Sequence, residues 1–317
     1  MNLIDVSKQL ANDEQCLSFL EKVRWPNGVR CPVCGGDKIG NIERKSRTKN
    51  KRTKLYVCLE PSCKQQFSAT SGTLFHDSHL PLNKWFLAMA LIADAKKGMS
   101  ANQLSRHLKV NYRTAWYLAH RIREAMQETG SPKLSGTIEI DETYIGGRQR
   151  NNWRKLRSKE VVMGLRERGG DLRLVHIENN TAEQLGEQIR QHVAPDAKQV
   201  ITDELPAYIP AFISAGINGD KHSTIRHRDK VYVQGDVHTN TVESAFSLFK
   251  RGVTGSFHKV SIKHLQRYLN EFSYRFNRRE DADLFRQMVS RMAITKALPY
   301  AKLIEQNAFT PFVRWQN

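Results

Sequence analysis

The chain has 317 residues, enough for two or three domains and at least one sizeable core. Fifty Lys and Arg against 32 Asp and Glu leave a formal charge of +18, which points to a polyanionic partner, nucleic acid before any other. No run of about 18 apolar residues occurs, which argues against a membrane span; the acid-bearing N-terminus is not a signal peptide, so the protein is expected in the cytoplasm.

Residues 1–25 read as a helical lead-in, with Leu10, Cys16, Phe19, Leu20 and Val23 at helical spacing. Cys16 stands apart from the other four cysteines and reads as a small buried apolar residue. Residues 26–72 read as a metal-stapled module. Cys31 and Cys34 enclose two residues and Cys58 and Cys63 enclose four, spacings that suit a tetrahedral four-thiolate Zn²⁺ site. Cytosolic thiols stay reduced, so the cluster favours metal over disulfides. Four thiolates close the coordination sphere, which makes the zinc structural. Strand-like residues 56–57 and 66–67 flank the second pair, as in a zinc ribbon. Between the two pairs, residues 42–54 form a hydrophilic run in which Arg44, Lys45, Arg47, Lys51 and Arg52 are expected to meet DNA phosphates.

Residues 73–130 are helix-rich. Within them, Ser100 can cap a first helix, Lys109-Val110-Asn111 can form a turn, and a second helix begins at Tyr112. That is the layout of a helix-turn-helix, which places the second helix in the major groove of double-stranded DNA. Arg113 and Arg121 are the expected contacts. The competing reading is an ordinary helical hairpin packed by Leu104, Leu108, Trp116 and Leu118. Gly130, Ser131 and Pro132 mark a domain boundary.

Strand-like runs follow at 137–144, 161–166, 172–178 and 199–202, with an amphipathic helix at 181–192 before the last of them. Thr181 is its expected N-cap. Further helices are expected at about 242–251, 262–278 and 282–295. This order predicts an α/β fold with a mixed sheet over 131–280, and residues 281–317 form a C-terminal helix and tail.

The catalytic signal lies in three acids. Asp141 closes a strand carrying Ile138 and Ile140, and Asp203 closes one carrying Val200 and Ile201. Carboxylates among core strands are costly unless paired, and hard cations such as Mg²⁺ offset that cost. If the two strands are neighbours, both side chains converge on one metal pair. A third acid, Glu243, lies on a predicted helix seven residues before Lys250, about two turns, so the pair share a face. Val242, Phe246 and Phe249 form the neighbouring apolar stripe.

The motifs 31–35, Ile140-Asp-Glu-Thr-Tyr-Ile-Gly-Gly, Thr202-Asp-Glu, the block from His238-Thr-Asn-Thr-Val-Glu-Ser to Phe257-His-Lys-Val-Ser, and the segment from Asn270 to Arg279 resemble bacterial insertion-sequence transposases of the ISXO-two-like group. The resemblance spans nearly the whole chain. It implies an N-terminal zinc ribbon joined to a ribonuclease H-like DDE domain, with Asp141, Asp203 and Glu243 as ligands of catalytic Mg²⁺ and Asn240 in reserve for the third position. His238 also stands nearby. The expected activity is cleavage at the element's terminal repeats and strand transfer into target DNA by in-line displacement at two ions, Mn²⁺ being able to replace Mg²⁺. Lys250 and Arg251 would hold a phosphate, and Trp153, Arg154 and Lys155 would contact DNA from the loop after the first strand. Paired ends must meet, so a homo-oligomer, at least a dimer on DNA, is implied. The rival readings are a non-catalytic zinc-ribbon regulator derived from a transposase, and a nuclease or junction resolvase that cuts without joining.

Overall fold

In the computed structural model, which describes residues 1–42, 54–146, 159–225, 233 and 235–305, the N-terminal segment forms two helices, α1 (Leu3–Gln9) and α2 (Asp13–Arg24). Each starts at an asparagine that closes a capping box, Asn2 with Asp5 and Asn12 with Gln15, and the second cap interrupts what the apolar spacing alone would run together. Strands β1 (Ile39–Ile42), β2 (Leu55–Cys58) and β3 (Gln66–Phe67) then make a small antiparallel sheet in the order β1-β2-β3. Helices α3 (Leu82–Asp94), α4 (Ala101–Leu108) and α5 (Tyr112–Ala125) follow.

The larger sheet contains β4 (Thr137–Gly146), β5 (Lys159–Glu167), β6 (Leu172–Ile177), β7 (Gln199–Thr202) and β8 (His222–Thr224), in the order β6-β5-β4-β7-β8. The first three strands form an antiparallel meander, and β7 and β8 add in parallel, which makes the sheet mixed. Helix α6 (Ala182–His192) crosses from β6 to β7, and α7 (Tyr208–Ala215) from β7 towards β8. Thr181 does occupy the N-cap of α6, but its hydroxyl donates to Asn179 Oδ1 at 2.7 Å and makes no bond to the helix amides. Helices α8 (Asn240–Gly252), α9 (Ile262–Asn277), α10 (Leu284–Ile294) and α11 (Tyr300–Ile304) complete the described chain.

The alternation along β4 sorts its side chains onto two cores. Ile138 and Ile140 join Leu185 and Ile189 of α6 and Tyr208 and Phe212 of α7 on one face. Ile145 joins Val242, Phe246 and Phe249 of α8 and Leu265, Leu269 and Phe272 of α9 on the other. The odd-numbered residues of β4 therefore look towards α8.

The chain divides into two units, Met1–Met126 with Glu280–Glu305, and Gln127–Arg279. Helix α10 lies in the first of these, although it follows the second in sequence. Its Phe285 packs between Phe19 of α2 and Phe86 of α3, with ring centroids 6.1 and 5.9 Å away. An amphipathic helix needs an apolar partner face, and α2 and α3 supply it.

Candidate active site and metal centre

In the first unit the four cysteines meet as the spacing predicts. Their sulfurs all lie within 4.8 Å of one another, the one such group of His, Cys, Asp or Glu among the described residues. Cys31 and Cys63 are 3.7 Å apart and Cys34 and Cys58 are 3.6 Å apart. Four thiolates at the usual Zn–S length of ~2.3 Å on a tetrahedron would be separated by about 3.8 Å, so the cage fits Zn²⁺ as it stands. Gly35, at φ +75°, turns the first knuckle, and its N–H donates to the Cys31 carbonyl at 2.9 Å. Burial alone would raise the Cys31 thiol, but the amides of Cys34 and Val33 aim at its sulfur and hold it down to about 7. Around the cage, Trp25, Tyr56 and Phe67 form a small aromatic core, and the Tyr56 hydroxyl donates to Glu21 of α2 at 2.8 Å. Cys16 is remote from the cage; burial, then Asp13, push its thiol up to about 12.

Arg44, Lys45, Arg47, Lys51 and Arg52 lie outside the described residues, as do Trp153, Arg154 and Lys155. Helices α4 and α5 follow the expected helix, turn, helix layout. The Ser100 hydroxyl caps α4 by accepting from Gln103 N at 3.2 Å, Lys109 takes the left-handed turn, and Asn111 caps α5 by accepting from Thr114 N at 2.8 Å. Arg113 stands exposed in the first turn of α5. Arg121 does not stand where the sequence reading puts it. It is 4% exposed, donates to the carbonyls of Leu74 and His76, and lies over the Trp85 ring at 4.9 Å. An arginine two turns further along α5 falls on the helix's inner face, where the guanidinium ties down the 74–76 segment and does not reach outward to a phosphate.

The acids occupy the second unit. Strands β4 and β7 pair in parallel with Thr137 opposite Gln199, Ile138 opposite Val200 and Glu139 opposite Ile201. Asp141 stands on β4 two residues beyond the last of these pairs, on the face that looks towards α8, and Asp203 follows the end of β7, where its Oδ1 accepts from Leu205 N at 3.0 Å. Across β4 on its other side, Asp141 pairs with Gly164 of β5. Helix α8 rests on that glycine: a Cβ built there would lie 2.6 Å from the Phe246 ring and 2.8 Å from Val242. Glu243 follows Val242, in the first turn of the helix, and its Oε1 accepts from the Thr239 hydroxyl at 2.8 Å. Asn240 is exposed at the helix start. Lys250 and Arg251 are exposed at its far end, where Arg251 Nε donates to the Ser247 carbonyl at 3.2 Å.

Two further acids on β4 carry weight that sequence reasoning missed. Glu142, on the opposite face from Asp141, accepts a hydrogen bond from the buried hydroxyl of Tyr208 and so ties α7 to the strand. Burial above all, and then the charges of Asp141 and Asp203, lift Glu142 to about 8 despite that hydrogen bond. Both aspartates thus add negative charge at Glu142. Glu139, fully buried, accepts from the amides of Thr241 and Val242 at the start of α8 and from Arg168 Nε. A glutamate between two isoleucines in an alternating strand was the available signal, since a carboxylate at such a place needs partners.

The sequence pattern of the ISXO2-like transposase domain matches residues 133–277, the second unit almost end to end, and that of a transposase zinc-ribbon domain matches residues 11–66. These two matches, with the cysteine cage, identify a transposase with a DDE-class domain and a zinc ribbon. A protein of transposable element ISH50 from Halobacterium salinarum, itself described as uncharacterized, is 30% identical over 288 residues, 84% of this chain and 92% of that protein. The chain belongs to the ISXO2-like transposase family. Among solved structures, the Mos1 strand transfer complex is similar at a TM-score of 0.30 and 11% identity, over 66% of this chain and 74% of that one. A chain of the simian T-cell lymphotropic virus intasome in complex with PP2A regulatory subunit B56 gamma is similar at 0.29 and 15%, over 54% and 63%. No helix among the described residues is long and apolar enough to cross a membrane.

Proposed function

We propose that this transposase binds the terminal repeats of an insertion sequence, hydrolyses a strand at the element end and joins the freed 3′-hydroxyl to target DNA. Asp141, Asp203 and Glu243 would hold the catalytic Mg²⁺ ions, with Mn²⁺ as a substitute. Bound there, such ions supply Lewis-acid polarisation of phosphate oxygens and a more acidic water. The register of β4 against β7 supports this reading above all else. It lays the strand of Asp141 alongside the strand that Asp203 follows, and Asp141 itself pairs with the glycine on which the Glu243 helix is seated.

The rest of the work falls to positively charged residues. Lys250 and Arg251 hold the phosphate of the end nucleotides from the far turns of α8. Arg113, at the exposed start of α5, meets the repeat in the major groove, and the basic run 44–52 adds sequence-independent affinity. Joining requires two ends together, so the active species on DNA is at least a homodimer.

The deciding experiment is a cleavage and strand-transfer assay with labelled end DNA and Mg²⁺. The wild-type chain is expected to cut and join. Asp141→Asn and Asp203→Asn are expected to bind the same DNA with unchanged affinity and to do neither. Full activity in either variant removes the carboxylate assignment, and cutting without joining makes the protein a nuclease. Loss in Glu243→Gln with activity kept in Asn240→Ala assigns the third position to Glu243; the opposite pattern gives it to Asn240.

A further inference from the structure

Helix α8 begins without a cap of its own: the side chain of Thr239, in the N-cap position, makes no bond to the helix amides. The first turn of an α-helix leaves N–H groups that must find acceptors elsewhere. Here the acceptor comes from the sheet. Glu139 Oε2 accepts from Thr241 N at 2.8 Å, Thr241 Oγ1 at 2.7 Å and Val242 N at 3.1 Å. Its other oxygen accepts from Arg168 Nε at 2.7 Å. The carboxylate is fully buried, and the positive end of the helix dipole adds to its stabilisation. Arg168 also fixes the chain leading into the helix, donating to the carbonyls of Asp236 at 2.7 Å and His238 at 3.0 Å and to His238 Nδ1 at 3.0 Å.

Glu139 shares a strand face with Asp141, two residues and about 7 Å along β4. Its oxygens are engaged by these donors, with His238 Nδ1 a further 3.3 Å from Oε1, and they face the helix start rather than open space. What it does touch is the turn that carries Glu243, whose own amide donates to Thr239 O at 3.1 Å within that turn. We propose that Glu139, held by Arg168, is a positioning residue that joins the strand bearing Asp141 to the helix bearing Glu243 and so sets the distance between two ligands of one metal site. A single rigid carboxylate thereby turns two elements roughly 100 residues apart in sequence into one frame. The inference rests on the proposed reading of Asp141, Asp203 and Glu243.

The test compares full-length wild type with Glu139→Gln, Glu139→Asp and Arg168→Ala by three measurements: hydrogen exchange without metal, Mn²⁺ binding by calorimetry, and cleavage rate of end DNA against Mg²⁺ concentration. Supporting groups of this kind set metal affinity or activity by about 10- to 100-fold. Glu139→Gln keeps the shape but loses the charge, so faster exchange at Thr241 and Val242, Mn²⁺ binding about 10-fold weaker, a higher Mg²⁺ requirement and unchanged DNA affinity are expected. Glu139→Asp, which keeps the charge, is expected to recover part of each effect. Wild-type exchange, Mn²⁺ affinity and Mg²⁺ dependence in Glu139→Gln would overturn the proposal. So would losses in all variants that follow melting temperature and DNA binding in parallel, which mark a merely structural role. If instead Asp141→Asn and Asp203→Asn keep full cleavage and Mn²⁺ binding, the reading of the site itself fails, an outcome distinct from a silent Glu139→Gln beside inactive aspartate variants.

Discussion

Replacing Gly164 with alanine tests whether the seat of α8 governs both stability and chemistry. The added methyl would lie 2.6 and 2.7 Å from the Phe246 ring and 2.8 Å from Val242 Cγ2, where carbon atoms ordinarily sit ~3.5–4.0 Å apart. Neither neighbour can retreat, since Val242 is fully buried and Phe246 is 4% exposed. The helix must therefore lift by about 1 Å to restore normal contact. Overpacking of this kind costs about 1–3 kcal/mol, and the better strand propensity of alanine offsets about 0.5–1 kcal/mol. A net loss of about 1–2 kcal/mol corresponds to a melting temperature roughly 2–8 °C lower for a domain of this size. Glu243 moves with the helix, and a displacement of ~1 Å at a reacting centre can cost on the order of 100-fold in rate. Thermal melting and single-turnover cleavage of end DNA measure the two effects, and trimming the ring in a Gly164→Ala/Phe246→Leu double variant is expected to restore part of both. A single variant that melts and cuts like wild type would show that α8 is not held against the strand of Asp141 in this way. One that melts lower but cuts at the full rate would separate the helix from the chemistry.

Arg121→Ala is expected to lower stability by about 1.5–3 kcal/mol, the range for hydrogen bonds to a charged group, without altering the salt dependence of DNA binding. A shallower salt slope at unchanged stability would return Arg121 to the DNA. Thiol labelling is expected to be slow in the zinc-loaded protein and to reach Cys31, Cys34, Cys58 and Cys63 after chelation, while Cys16, buried and held up near 12, reacts only on denaturation. Rapid labelling of the four with zinc bound would count against the cage. Burial, then Arg173 and Lys133, keep His192 below its ordinary 6.5, and burial does the same for His222. Below about 6.5 the unfolded chain takes up protons that the folded one refuses, so this stability is whole above that pH and drains away as pH falls. Melting between pH 7.5 and 5.5 should therefore decline less steeply in His222→Gln than in wild type; identical slopes would refute the assignment.

The two recognisable centres differ in how far the sequence alone could reach. The zinc cage was legible because its chemistry is local: two close-set cysteine pairs, a glycine at the turn and flanking strands carry nearly all of the geometry. The helical hairpin was legible for the same reason, since Ser100 and Asn111 cap their own helices. Asp141, Asp203 and Glu243 could be picked out as acids at the ends of apolar strands and on an amphipathic helix, but strand order and register are set by non-local pairing. Only the fold lays the strand of Asp141 beside the strand that Asp203 follows and brings α8 down on Gly164.

Elements whose apolar pattern is short, such as α7 and β8, escaped notice because neither shows a clear period. Arg121 went to the wrong surface because a positive charge in sequence says nothing about which side of its helix is covered. Glu139 was silent for a related reason. Its spacing from Asp141 shows that they share a strand face, but the amides that satisfy it belong to a helix roughly 100 residues later. Local spacing thus determined the cysteine cage and the helix caps, which act within a few residues. Tertiary packing alone decided which buried charges meet, because a carboxylate's partners are chosen by whatever the fold lays against it.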